Sequence, residues 1–334
     1  MVSIPFAPTI IEHAAALIGC LPSEAAQSVE LMAKAHIEAY KRYSHPIVTV
    51  GIDVYNIEAQ ALGCDVRFYN NASIPGVVTH PYTLDSDPGL IRFSPDAGRI
   101  QLVLNAAIEV KRVIGAETTV SIGICGPYSI MIELLGFDAA VDALFEEDER
   151  VFPYLDALLT HQMEYCSLIT SEGLGVTLFD SWASPPVTSP HIYRTYAAPY
   201  ERGLISHLKS LGLASRPLVI GGDTSLIVND ILSTGTTLLV SDYNAPLTLY
   251  AEKAKNHDVT LRANIDPKKV WSGDWDHIRS RINDIRSMVT IHPKTIIGTG
   301  VMPYDTNPGH VLHVKEIIKN NIIRTNCGRP LGGA

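Results

Sequence analysis

Gly175 to Tyr200 reads GVTLFDSWASPPVTSPHIYRTYAAPY, and the start of this stretch decides the fold. Its apolar run Val176-Thr177-Leu178-Phe179 stops at a carboxylate, Asp180, followed by Ser181, Trp182, two prolines and a polar-aromatic loop with His191 and Tyr193. A short apolar run of this length predicts a buried strand, and the residues after it are not spent on a tight turn. The strand lifts an acid and an indole out of its carboxyl end, which in a parallel α/β protein is where ligands bind. The competing reading is that Asp180 caps the next helix.

The same alternation extends in both directions. Short apolar runs fall at Ile47–Ile52, Val120–Ile124, Val176–Phe179, Leu218–Ile220, Thr237–Val240, Val259–Ala263 and Thr295–Ile297. Between them lie helix-like stretches at Arg99–Ile114, Asp138–Glu172, Tyr200–Leu211, Leu226–Ser233, Leu247–Asn256, Trp275–Met288 and Gly309–Asn320. Strand-helix alternation predicts a parallel sheet with right-handed crossovers. Seven runs and an unplaced eighth suit an α/β fold of the closed (β/α)8 TIM barrel type, and no GxGxxG follows the first run to favour an open dinucleotide sheet. No Pro-, Gly- or Ser-rich linker divides the chain, so residues 1–334 read as one barrel domain. Residues 1–45 read as N-terminal helices, with a long one from Ser23 and Glu24 to about Tyr43 that carries His36 in its apolar stripe. The region 66–95, with four prolines and few helical signals, reads as an insertion over the barrel mouth.

Composition narrows the function classes. A chain of 334 residues at 46% hydrophobic can bury a sizeable core. Acidic residues number 35 against 26 basic ones, for a formal charge of -9, and the basic residues are scattered, so nucleic acid is not an expected partner. No run reaches the roughly 18 apolar residues of a membrane span, and Glu12 and His13 interrupt the apolar start, unlike a signal peptide. Five widely spaced cysteines, Cys20, Cys64, Cys125, Cys166 and Cys327, give neither a disulfide framework nor a CxxC pair and fit a reducing cytoplasm.

The residues just past each run carry the chemistry. They are Asp53 with Tyr55, Asn56 and Glu58; GICGPY at Gly123–Tyr128, followed by Glu133; Asp180 with Trp182; Asp223 after Gly221-Gly222; Asp242 with Tyr243 and Asn244; Asn264 with Asp266; and Thr299 between Gly298 and Gly300. In a barrel these acids crowd one face, where like charges raise pKa values or bind a cation. Asp after a strand is equally a common helix N-cap, and Asp223 before Thr224 and Ser225 fits that job best. The short GxG at Gly298–Gly300 is weak evidence for a phosphate, and no Lys or Arg accompanies it in sequence.

Several of these blocks resemble the uroporphyrinogen decarboxylase superfamily: GIDVYNIEAQALGCDV at Gly51–Val66, GPYSIMIELLG, FDSWASPPVTSPHIYRTYAAPY, ANIDP at Ala263–Pro267, and GTGVMP followed by TNPGHV. The resemblance spans about Val48 to Ile318 and implies a single TIM barrel. That superfamily contains tetrapyrrole decarboxylases and cobalamin-dependent methyltransferases, so the fold alone does not choose between them. Decarboxylases of this kind carry an arginine-rich loop before the first strand; here no arginine precedes Arg42. Of their catalytic set only Asp53 matches, since Glu133 stands near the expected tyrosine and Thr299 replaces the expected histidine. Members that load thiols hold zinc with His-x-Cys and a later Cys, because zinc makes a thiolate at neutral pH. Val219-Ile220-Gly221 and Thr299-Gly300 stand there instead.

The chain is more similar to the substrate-side methyltransferases of anaerobic O-demethylase systems, which move a methyl group from an aromatic methyl ether to the cobalt of a separate corrinoid protein. The resemblance implies a corrinoid-binding protein as partner, cobalamin supplied by it, and a small methyl donor; a homodimer is compatible with it. The enzyme's task is then to place the methyl carbon and stabilise the phenolate that leaves, through a protonated acid, a Tyr or His donor, or a Lewis acid. Asp53, Glu133, Asp180 and His191 are the expected catalytic residues. Tyr55, Asn56, Tyr82, Trp182, Tyr193, Asp223, Asp242, Asn264 and Thr299 are the expected substrate contacts, with Trp182 and Tyr82 as walls for a ring. A zinc held by carboxylates and a histidine is one option for the Lewis acid, and the spacing leaves the metal open. The alternatives are a decarboxylase of a small acid, a non-catalytic corrinoid or tetrapyrrole binder whose strand-end acids are caps, and a methyltransferase acting on an amine or thioether.

Overall fold

The computed structural model describes residues 4–324, with side chains described through 320. Among them, eight parallel strands form two four-stranded arcs. The strands are β1 (Phe6–Thr9), β2 (Ile47–Val50), β3 (Thr119–Cys125), β4 (Gly175–Phe179), β5 (Leu218–Val219), β6 (Leu238–Ser241), β7 (Thr260–Ile265) and β8 (Thr295–Val301). One arc runs β2-β3-β4-β5 and the other β1-β8-β7-β6, which gives the α/β barrel expected from the alternating runs.

The strand that the apolar runs leave unplaced is β1. Residues 1–45 are therefore not all helical: Phe6 pairs with Ile297 and Ala7 with Gly298, so β8 supplies the partner. Four residues containing Pro8 show no apolar alternation, and only that neighbouring strand makes them extended. The helix expected from Ser23 divides into Pro22–Ala25 and Val29–Tyr43 because Ser28 caps the second piece, accepting the Leu31 N–H.

Outward-facing strand residues form the core with the helices. Val48, Val50, Ile122, Ile124, Val176, Leu178, Leu261, Ala263 and Ile297 are buried there. Inward positions are polar: Thr49 and Ser121 lie 3.1 Å apart, and Ser121 lies 3.1 Å from Thr177, a hydroxyl chain across three strands. On β2, β3 and the start of β4 alternation thus turns an apolar face to the helices and hydroxyls to the lumen, whereas Phe179, Val219, Val240 and Ile296 share the inward face farther round the barrel.

Two differences in the helices bear on the site. The stretch expected as one helix over Asp138–Glu172 divides into Phe137–Phe145 and Val151–Ser171, with Glu147 in the left-handed region at φ 54 between them. The helix expected from Tyr200 begins ten residues earlier, at Pro190, and passes through a wide turn at Tyr193–Ala197 before Ala198–Ser210. Pro199 has no N–H for a regular helical bond, and the wide turn ahead of it absorbs that loss.

The segment 66–95 forms a short hairpin of Val66–Arg67 with Gly76–Val77, then a single turn at Pro88–Leu90. It is tied down by Asn56 Nδ2 donating to the Pro75 carbonyl at 2.6 Å and by Tyr154 Oη donating to Thr83 and Ser86 carbonyls. The Tyr82 N–H donates to Leu134 O, and His80 bonds Glu133 O at 2.7 Å. These bonds fix the segment against the helix Pro127–Leu135, which carries Glu133.

Candidate functional site

A cavity of about 410 Å³ opens at the carboxyl ends of β2, β3 and β4, lined by Tyr55, Glu133, Ser181, Trp182, Ser184, Pro185 and Val187. Each lining element begins where a strand stops. Tyr55 is in the first turn of the helix after β2, Glu133 is on the helix after β3, and Ser181 to Val187 form the loop after β4. The walls are mainly the apolar faces of Tyr55, Trp182, Pro185 and Val187, and the volume falls in the range of about 300–1,000 Å³ usual for small-molecule sites.

The polar groups at this cavity are held in place. Trp182 Nε1 donates to Glu133 Oε1 at 3.0 Å, which fixes both indole and carboxylate. Tyr55 Oη accepts the Ser181 N–H at 3.1 Å, and the Ser181 side chain lies within reach of the same hydroxyl. Burial pushes the Tyr55 phenol well up, so it stays protonated and able to donate at neutral pH.

Asp180 lies beneath this wall and does not open onto it. Its Oδ1 accepts from the Ser129 N–H at 2.9 Å and the Ser129 hydroxyl at 2.5 Å, and the same hydroxyl accepts from the Trp182 N–H. A buried acid absent from the expected set, Glu201, faces it within hydrogen-bond reach. Tyr193 Oη donates to Glu201 Oε2 at 2.5 Å. Burial pushes Asp180 up to about 6, and burial plus the Asp180 charge pushes Glu201 well above the carboxylate range. Two carboxyls this close in a dry site cannot both ionise, so Glu201 keeps its proton and donates it to Asp180. Gly126 is the complement to this pair, because a Cβ there would come within 2.1 Å of the Asp180 carboxyl.

Asp53 is committed elsewhere. Arg99 grips it with two parallel bonds, Nη1 to Oδ1 at 2.8 Å and Nη2 to Oδ2 at 2.7 Å, and Asn56 adds a third at 3.2 Å. Burial pushes its carboxyl up and the guanidinium fork opposes the shift. It is Tyr55, two residues on, that reaches the cavity.

Of the three acids expected to converge, only Glu133 lines the cavity; Asp180 supports its wall, and Asp53 pairs with Arg99. The expectation for His191 is not met. Its side chain is 66% exposed and bonds the surface carboxylate of Glu147 at 3.1 Å. The reason is the helix beginning at Pro190: residues two apart on a helix point about 200° apart, so burying Tyr193 turns His191 outward. Tyr193 is itself fully buried and supports Glu201 without lining the cavity. Tyr82 packs edge-on against Tyr154 outside the cavity lining, and Asn56 is spent on Asp53 and Pro75.

The remaining strand-end residues mostly fasten loops. Asp223 accepts the Ser225 N–H, as a cap does, and Asp266 accepts the Lys268 N–H. Asp242 accepts the Gly222 and Tyr243 N–H groups at 2.9 Å and a longer bond from Asn264. Thr299 is buried, accepting the Thr9 N–H at 3.1 Å across the β1–β8 seam. The crowd of acids therefore disperses into separate structural tasks. Two arginines lie among these strand-end groups, Arg99 on Asp53 and Arg262 inside β7. A charge within a predicted strand is the signal available for Arg262.

Among the described residues no three His, Cys, Asp or Glu side chains come together to hold a metal ion. The positions at the end of β5, just after it and within β8 carry Val219, Gly221, Thr299 and Gly300, none with a zinc-binding side chain. The residues do not fit a zinc site. Cys20, Cys64, Cys125 and Cys166 are buried free thiols, whereas Cys327 lies outside the described residues. Among the described residues no helix is long and apolar enough to cross a membrane.

Comparison with known proteins agrees with this architecture. The family model of uroporphyrinogen decarboxylase (URO-D) matches residues 3–320. The chain is 26% identical over 259 residues to the methylcobamide:CoM methyltransferase MtbA of Methanosarcina mazei, covering 76% of this chain and 75% of that protein. It is 29% identical over 149 residues to the uroporphyrinogen decarboxylase of Chloroherpeton thalassium, 43% of this chain and 41% of the other. A solved methyltransferase structure from Methanosarcina mazei superimposes with a TM-score of 0.84 at 18% identity, over 96% of this chain and 95% of that one, a likeness of fold.

Proposed function

The chain belongs to the uroporphyrinogen decarboxylase family, and we propose that within it the chain is a methyltransferase, moving a methyl group from a small methoxylated aromatic compound to a corrinoid carried by a separate protein. The observation that carries this reading is the cavity wall: Tyr55, Trp182, Pro185 and Val187 offer flat apolar surface, with Glu133 held at its edge by the indole. Likeness to the methylcobamide:CoM methyltransferase supports corrinoid chemistry. The lack of zinc-binding side chains at Val219, Gly221 and Thr299 argues against a thiol as the second substrate, and Arg99 on Asp53 argues against a free catalytic aspartate for decarboxylation.

The reduced corrinoid, as second substrate, supplies the electron pair that forms the new bond to the methyl carbon. The carbon–oxygen bond breaks and its electrons stay on the aryl oxygen, so the protein must orient the ether and receive a phenolate. Tyr55 is the donor this chain offers: its hydroxyl belongs to a residue of the cavity lining, and a fixed donor aimed at developing charge stabilises the transition state more than the ground state. Trp182 and Pro185 hold the ring, while Glu133 fixes the indole and Asp180, through Ser129, fixes the backbone that carries it.

The test is to mix the protein with cobalt(I) cobalamin and a panel of aryl methyl ethers and follow the absorption change to methylcobalamin. Conversion with one or more ethers, and a fall in rate of about 10²- to 10³-fold in Tyr55→Phe, is expected. No conversion with any ether, alongside conversion with a methylamine or thioether, would overturn the assignment of the donor.

A further inference from the structure

Glu201 lies three hydrogen bonds behind the backbone N–H of Trp182. It sits in the first turn of the helix Ala198–Ser210, where a glutamate is ordinarily exposed and ionised, yet it is fully buried. Asp180 is equally buried, and among the described residues no cation bonds either acid. The ionisable groups around the pair are Tyr193, Tyr128, Tyr55, Cys125, Glu58 and, beyond Tyr193, Asp230. With no positive charge to answer two carboxylates, a shared proton leaves the pair with one negative charge instead of two.

The partners give each hydrogen a direction. Tyr193 Oη donates to Glu201 Oε2, so that oxygen is an acceptor. The N–H and the hydroxyl of Ser129 both donate to Asp180 Oδ1. Glu201 Oε1 and Asp180 Oδ2 are left, each buried and without any other partner, and the two carboxyls are in hydrogen-bond contact. Two carboxyl oxygens bond only through a hydrogen between them. Because Ser129 gives its hydroxyl hydrogen to Asp180, its oxygen is free to accept the Trp182 N–H at 3.2 Å.

We propose that Glu201 is a positioning residue for the cavity wall: as a neutral acid it donates Oε1–H to Asp180, which holds Ser129 with its oxygen turned to the backbone of Trp182 and so sets the indole. A carboxamide at position 201 offers the same donor and acceptor, whereas a thioether chain of similar size lacks the donor. This deepens the methyl-transfer reading and rests on it only for the kinetic arm of the test.

The test compares wild type, Glu201→Gln and Glu201→Met, with thermal melts as a fold control. Two readouts need neither corrinoid nor ether. The infrared difference spectrum of wild type minus Glu201→Gln at neutral pH should show the carbonyl band of a protonated carboxylic acid. With 5-fluorotryptophan incorporated, the three tryptophans give three fluorine resonances, and Trp182→Phe identifies the one from Trp182. In wild type that resonance should shift as pH falls through about 6, where Asp180 takes up a proton. A donor to an ionised carboxylate holds its pKa down, so the midpoint should stay there in Glu201→Gln and rise in Glu201→Met. All three proteins share Glu133, so any effect of that acid on the indole cancels in the comparison. With the best ether of the aryl methyl ether panel, KM should rise about tenfold in Glu201→Met and stay within about twofold of wild type in Glu201→Gln, with kcat little changed in both.

Absence of the acid carbonyl band, a wild-type Trp182 resonance that ignores pH, or equal midpoints and KM values in the Gln and Met variants would each overturn the proposal. If Glu201→Met melts before assay, Glu201→Gln decides alone: a displaced midpoint or a tenfold higher KM overturns it. The expected band and midpoints without methyl transfer from any ether would count against the reaction and leave the positioning role standing.

Discussion

Trp182 and Glu133, 49 residues apart in the chain, meet through a 3.0 Å bond from indole nitrogen to carboxylate at the edge of the cavity. One residue comes from the loop after β4 and the other from the helix after β3, so the bond locks two strand-end elements into one wall. Trp182→Phe keeps a ring and removes the donor. A hydrogen bond to a charged group contributes about 1.5–3 kcal/mol, so KM for the aryl ether should rise by about tenfold or more with a small change in kcat. Steady-state kinetics on the methyl donor checks this.

The Asp53–Arg99 pair should behave as structure. Both side chains are buried, at 0% and 7% exposure. Removing one partner strands the other charge, at a cost of about 3–5 kcal/mol. Asp53→Asn and Arg99→Met are each expected to lower stability by that order, and the double variant by clearly less than the sum. Urea unfolding of all three measures it; additive losses would show that the pair is not coupled.

Gly126→Ala tests the buried acid pair from the backbone side. The added methyl would fall 2.1 Å from the Asp180 carboxyl, with Ser129, Tyr193 and Glu201 behind it. Overpacking of this kind costs about 1–3 kcal/mol. A melting temperature lower by several degrees, with loss of methyl transfer as Trp182 shifts, is the expected result.

Burial raises Glu58 from 4.5 to about 7; its Oε2 accepts the Cys125 N–H at 2.6 Å, and Gln162 bonds its Oε1. A raised folded pKa means that this group's contribution is fully present below about pH 4.5 and is lost as pH rises through about 7. Neighbouring His161, lowered by burial to about 4, runs the other way: its contribution is present above about 6.5 and is lost as pH falls towards 4. The two therefore oppose each other in the acid range. Glu58→Gln removes the first effect, so the melting temperature of the variant relative to wild type should climb between pH 5 and 8. A difference independent of pH would contradict the burial of an ionisable Glu58.

The fold is largely legible in the sequence because strands of a parallel barrel pack against helices and read as short apolar runs, as Val176–Phe179 does. β1 is not, because Phe6–Thr9 owes its extended form to hydrogen bonds from β8, nearly 300 residues later. The site is legible in part. Tyr55 and Trp182 stand within a few residues of a strand end and Glu133 is on the helix that follows β3, so position alone points to them. Glu201 sits in a helix where an acid reads as surface, and its burial follows from where that helix begins. Arg99 on Asp53 is a tertiary pairing, and no local pattern encodes it. His191 escapes because a helix takes the place of an expected loop.

The most direct test of the central claim is a single-turnover reaction of the wild-type protein with cobalt(I) cobalamin and the best ether of the aryl methyl ether panel, carrying a trideuterated methyl group. Mass spectrometry of the cobalamin and capture of any carbon dioxide track the two competing outcomes. The account predicts a trideuteromethyl group on cobalt, an equal amount of the corresponding phenol, and no carbon dioxide. Unlabelled cobalamin together with released carbon dioxide would contradict it.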